Sequence, residues 1–155
     1  MDDKDRLTIA TSLKKLTTLV EANVATTGRE HEAEERSKNN ELIAVELLTF
    51  GEYVADVAHM AQTEKDHVEQ MFEHMKLELI NNSIYPTDGG KATGSMSVAR
   101  AESEVKTDLS YIEALDQLRS LQKSAEVLKR KERSLNAILD QSRSRLSLVS
   151  KSLPT

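Results

Sequence analysis

The chain has 155 residues, one domain on a rough prior of about 100–200 residues per domain, with a net charge of −5 from 26 acidic and 21 basic residues. No Cys excludes disulfide scaffolds, thiolate metal sites and cysteine nucleophiles, and five Gly with two Pro cannot supply the turns of a many-stranded barrel. Five aromatics and 30% charged residues leave long helices packed along thin apolar seams as the expected architecture.

The start, Met1-Asp2-Asp3-Lys4-Asp5-Arg6, is charged and lacks the apolar run of a secretory signal. No stretch approaches the roughly 20 apolar residues of a membrane span. A cytoplasmic chain is therefore expected. Over 5–26, Ile9, Leu13, Leu16, Val20 and Val24 share one helical face, widened by Leu7 and Leu19. Residues 28–41 are almost wholly polar and read either as a loop or as a solvated stretch of helix. Glu30, Glu32, Glu34 and Glu35 favour helix, while Gly28 and Asn39-Asn40 weaken it.

The strongest pattern spans 40–81. Ile43, Leu47, Phe50, Val54, Val57, Ala61, Glu64, Val68, Met71 and Met75 alternate steps of four and three, a heptad-type seam with one polar member. Forty residues of helix are about 60 Å long and need partners along their length. Gly51 lies inside this helix at a cost of about 1 kcal/mol relative to Ala, which close approach of another helix would justify. The one clear break follows, in Asn81-Asn82-Ser83-Ile84-Tyr85-Pro86-Thr87-Asp88-Gly89-Gly90. Asn81-Asn82-Ser83 is formally a glycosylation acceptor and reads as a chance match.

Helix is expected to resume near 98 and to run to 149. Its stripe is Val105, Leu109, Ile112, Leu115, Leu118, Leu121, Ala125, Leu128, Glu132, Leu135, Leu139, Ser142, Leu146 and Val149. Glu132 and Ser142 interrupt it, and a polar seam residue can set register at a cost in stability. The expected organisation is an acidic helical segment over 1–82, a flexible linker over 83–97 and a basic helix over 98–152. Gly94-Ser95-Met96 reads as a junction between two polypeptides, as a shortened loop of one protein or as an ordinary loop, and the first would make the halves partners. Residues 1–95 carry 10 basic and 18 acidic groups, and residues 96–155 carry 11 and 8. The two halves have opposite sign and should attract along their polar flanks, unless the charges simply face water.

Candidate chemistry is sparse. His59, His67 and His74 lie on one helix, and Glu64-Lys65-Asp66-His67 has the Glu-x-x-His spacing of di-iron bundles. The last helix has no His to complete such a site, and one heptad is about 10.5 Å, too far for one metal. Phosphate-loop, dinucleotide and serine-hydrolase motifs are absent. No catalytic residue, metal or cofactor is expected, and the chain reads as no enzyme. Lys129, Lys131, Arg133 and Arg143 are candidate contacts for an anionic lipid surface or an acidic partner. Nucleic acid is disfavoured, because no aromatics interleave with these charges.

Two stretches resemble the BAR-type helices of sorting nexins. Residues 40–53, from Asn40 through Phe50 to Tyr53, alternate Leu with acidic side chains. The second runs from Leu109-Ser110-Tyr111-Ile112 to Leu128-Lys129-Arg130-Lys131, an apolar stripe leading into a basic stretch. The resemblance implies dimerisation and binding of a curved endosomal membrane through the basic residues. It departs from the family in having no lipid-binding PX domain and no evident third long helix.

The expected fold is therefore all-α: an elongated helical hairpin or three-helix bundle with coiled-coil-like seams, dimeric, made of protein-binding helices. The expected interface residues are Ile43, Leu47, Phe50, Val54, Val57, Val68, Met71, Met75, Ile112, Leu115, Leu121, Leu128, Leu135, Leu139 and Leu146. The expected function is a non-enzymatic scaffold that assembles through these seams, with a BAR-like membrane module as the alternative.

Overall fold

The computed structural model describes residues 1–82 and 96–154. The protein is all-α, with four helices and no strand among the described residues. Helix α1 is Asp3–Thr26, α2 is Glu32–Asn82, α3 is Val98–Val105 and α4 is Leu109–Ser152. The turn-rich linker and the Gly94-Ser95 junction lie outside the described residues. Met96 is buried, Ser97 caps α3, and the helix begins at Val98, where it was expected to resume.

The chain packs as two compact units, one of Met1–Ala58 with Ser124–Thr155 and one of His59–Lys123. In the first, α1 opens with a capping box. Asp2 Oδ1 accepts from the Asp5 amide at 2.7 Å, and Asp5 returns the bond to the Asp2 amide at 3.2 Å. The helix stops at Thr26 because Gly28 adopts φ +78°, a left-handed conformation that terminates helices. Ile9, Leu16, Ile43, Leu47, Phe50, Val54, Val57, Leu128 and Leu139 form one core from α1, α2 and α4, with Leu135 against its edge. Ser12 donates to Glu46 at 2.7 Å, linking α1 to α2. Ser142 beside Asn40 and Glu132 beside Gly51 set α4 antiparallel to α2.

Two expectations for this unit need correction. Val24 is 71% exposed, and the buried row of α1 is instead Ile9, Ser12, Leu16, Asn23 and Thr26. Residues 28–41 are neither a loop nor solvated helix throughout. From Glu32 they are helix, and Glu32, Arg36 and Asn40 are buried. The physical reason is common to both: the three-four spacing of the core continues through polar residues that find partners inside.

In the second unit, Ala61, Val68, Met96, Ala101, Val105 and Leu118 are buried. The rings of Phe72 and Tyr111 meet at 5.5 Å, tilted by 50°, and Lys76 lies 5.7 Å from the Phe72 ring centroid. Lys76 also pairs with Glu102 at 3.8 Å. Here the expected single helix over 98–149 is broken at Lys106-Thr107-Asp108. Asp108 Oδ1 accepts from the amides of Ser110 at 2.9 Å and Tyr111 at 3.3 Å, which starts α4 afresh. The new start rotates the stripe. Leu109 and Ile112 are exposed, at 76% and 37%, so Ile112 is not a seam residue. Tyr111, Leu115 and Leu118 face inward in its place.

Candidate functional site

The densest set of polar side chains is a buried layer in the first unit. Asn23 comes from α1, Glu32, Arg36 and Asn40 from α2, and Ser142 from α4, all at most 6% exposed. Successive helical turns of α2 stack Glu32, Arg36 and Asn40 on the face that carries Ile43 and Leu47 below them. Asn23 donates from Nδ2 to Asn40 Oδ1 at 2.9 Å and to Ser142 Oγ at 3.0 Å. The Ser142 hydroxyl donates in turn to Asn40 Oδ1 at 2.6 Å.

Arg36 ties this triangle to the end of the bundle. Its Nη1 donates to Ser142 Oγ at 3.0 Å. Its Nη2 reaches the Asn23 carbonyl at 3.0 Å, the Thr27 hydroxyl at 2.8 Å and Glu32 Oε1 at 3.3 Å. Arg145 grips the same carboxylate through Nε at 2.8 Å and Nη2 at 3.1 Å, and the Gly28 amide donates to Oε2 at 2.9 Å. The Arg145 hydrogen bonds, then the Gly28 amide, then the charges of Arg145 and Arg36 hold the Glu32 carboxyl at about 2, against the upward push of burial. Glu32 in return raises Arg145. Among the described residues, the buried atoms Asn23 Oδ1, Asn40 Nδ2 and Arg36 Nε lack a hydrogen-bond partner.

This layer is closed to solvent, so its chemistry is structural. A register shift by one heptad would leave a guanidinium, a carboxylate and two amides buried without partners, each a costly defect. The layer therefore specifies how the three helices align. Sequence reasoning singled out Ser142 but passed over Ser12, Asn23, Thr26, Glu32, Arg36 and Asn40. Steps of four, four, three, four and three run through 32, 36, 40, 43, 47 and 50, and that continuation was the available signal.

The expected seam residues divide. Ile43, Leu47, Phe50, Val54, Val57, Val68, Leu128 and Leu139 are buried, and Met71, Met75, Leu115, Leu121, Leu135 and Leu146 are half-buried. Lys129, Lys131, Arg133 and Arg143 are all exposed on α4. At 3.6 residues per turn, Lys129, Arg133 and Arg143 lie within about 80° of one another, while Lys131 is about 200° away from Lys129. They are thus not one patch. Arg143 pairs with Asp140 at 3.7 Å, and the neighbouring Arg130 pairs with Glu126. His59, His67 and His74 are exposed, and no three metal-binding side chains gather among the described residues. No described helix is long and apolar enough to cross a membrane.

Among the described residues, open grooves mark the surface of each unit. One of about 550 Å³ runs between α1 and α2, floored by Leu19, Leu42 and Val45 and flanked by Lys14 and Lys15. A second, about 690 Å³, lies between α2 and α4 over Gly51. A third, about 480 Å³, lies in the second unit beside Phe72 and Tyr111. Comparison with family models, with curated proteins and with solved structures found no match.

Proposed function

We propose that the chain is a non-enzymatic helical scaffold that assembles by packing further helices on its outside. The observation that carries this reading is a set of large apolar side chains left over after the core is filled. On α2 alone, Leu42, Val45 and Leu48 are 46%, 64% and 74% exposed and line grooves on either side of the helix. Contiguous apolar surface of this kind marks interaction sites. The inner seam, in contrast, is occupied within the chain, so assembly falls to these outer rows. The sealed polar layer supports a structural rather than a catalytic role, because no substrate reaches a residue only 4–6% exposed. Light scattering over a concentration series tests the reading. The mass should climb above that of one chain; a fixed monomer at every concentration contradicts it.

Exposure of Lys129, Lys131, Arg133 and Arg143 supports a second reading, a BAR-like module on an anionic endosomal membrane. Each basic residue near such a surface is worth about 1 kcal/mol. Vesicles rich in anionic lipid should pull the chain down, and replacement of the four by Glu should abolish this. Sedimentation unchanged by that replacement contradicts the membrane reading.

A further inference from the structure

The groove between α1 and α2 in the first unit has an apolar floor and a basic rim. Leu19 of α1 and Leu42 and Val45 of α2 form the floor, and Leu42 and Val45 are 46% and 64% exposed. Thr11 and Thr18 line it from α1. Their hydroxyls donate to their own helix, Thr11 to the Leu7 carbonyl at 2.8 Å and Thr18 to the Lys14 carbonyl at 3.0 Å. Hydroxyls engaged in this way add little polarity to the lining. Lys14 and Lys15 stand on the rim, and among the described residues neither has an ion-pair partner. Glu46, the carboxylate on the lining, accepts from Ser12 at 2.7 Å. From Arg6 to Val20, α1 carries three basic residues and no acidic one, within a chain of net charge −5.

The spacing of the lining points to a helical occupant. Thr11, Lys15 and Thr18 step by four and three, and Leu42 and Val45 by three. This is the alternation of the inner seam, repeated on the outside of the bundle. Ser12 beside Glu46 and Asn23 beside Asn40 set α1 antiparallel to α2. By equal rise, these two contacts bracket the level of Lys15 between Ile43 and Leu48, beside Val45. A helix whose apolar ridge lies over Val45 therefore brings its flank to Lys14 and Lys15. Such a ridge seats between two neighbouring helices at axial distances of about 8–10 Å. A flat bilayer surface does not follow a groove, and Glu41 and Glu52, exposed on α2, would repel an anionic one.

We infer that this groove binds an amphipathic helix of another protein, with its apolar stripe on Leu42 and Val45 and acidic side chains along the flank that meets Lys14 and Lys15. This names one of the helices that the scaffold reading calls for, and rests on that reading. Exposed ion pairs contribute little each, so the apolar stripe supplies most of the affinity and the two lysines select the partner.

Titration of the full-length chain into two labelled helical peptides tests this. One has Leu at heptad spacing with Glu on its flanks, and its twin has Lys in place of Glu. The Glu peptide should bind about tenfold more tightly than the Lys peptide, and added salt should narrow the difference. Lys14→Glu combined with Lys15→Glu should reverse the preference, and Val45→Asp should abolish binding of both peptides. All three positions are exposed, so these variants should melt like the parent. Equal binding of the two peptides, or a preference for Glu that survives the reversal of Lys14 and Lys15, overturns the acidic partner. If neither peptide binds while the mass of the chain climbs with concentration, the inference falls and the scaffold reading stands. Loss of that self-association in Val45→Asp would then make a second copy the occupant, and loss of binding to anionic vesicles would make it a membrane. A chain that binds neither peptide and stays monomeric at every concentration overturns both readings.

Discussion

A β-carbon built on Gly51 of α2 would lie 3.1 Å from Oε1 of Glu132 on α4. The neighbour it meets is the end of a flexible side chain, and the carboxylate can swing away by a few tenths of an ångström. Gly51→Ala should therefore recover most of the helix propensity that Gly forfeits, raising stability by up to about 1 kcal/mol. Thermal melts at low concentration check this. A loss instead would show that Glu132 is pinned in place.

Asn23 and Val24 are adjacent on α1 and exchange the roles that hydropathy assigns them. Asn23→Ala removes the donor to both Asn40 and Ser142 and should cost about 1–3 kcal/mol. Val24→Ala, at an exposed site, should stay within about 0.5 kcal/mol of the parent. Urea unfolding of the pair decides the matter; equal effects would dissolve the polar layer as a structural element.

The core from Ile43 to Val57 could be read directly, because apolar residues held at heptad spacing over several turns mark the buried face of a helix. The polar layer could not, because Asn, Ser, Thr, Glu and Arg at core positions look like solvated surface until their partners are known. Those partners, Asn23 with Asn40 and Ser142, lie 17 and 119 residues apart. The break at Asp108 was hidden for a different reason. One capping Asp restarts a helix without Gly or Pro, and the restart carries Ile112 out of the stripe that its spacing placed it in.

Acid should find Glu32 late. Its carboxyl is held at about 2 in the folded chain against an ordinary 4.5. A lowered folded value means that the stabilisation is fully present above about 4.5 and is lost as pH falls toward 2. Glu32→Gln should melt lower than the parent at neutral pH, and the gap should narrow across that window. A gap that stays constant down to about pH 2 would contradict the Arg145–Glu32–Arg36 arrangement.

The restart of α4 depends on Asp108. Asp108→Ala frees the amides of Ser110 and Tyr111 and should cost about 1 kcal/mol, with Asp108→Asn nearly neutral. Amide exchange at Ser110 and Tyr111 should quicken in the Ala variant alone.

Sedimentation velocity of the full chain beside Leu48→Asp tests the central claim most directly. Leu48 is 74% exposed in the single chain, so the substitution leaves the core untouched and the melt unchanged. The parent should sediment above the mass of one chain and dissociate on dilution, and Leu48→Asp should associate more weakly. Identical sedimentation of the two chains would contradict the account.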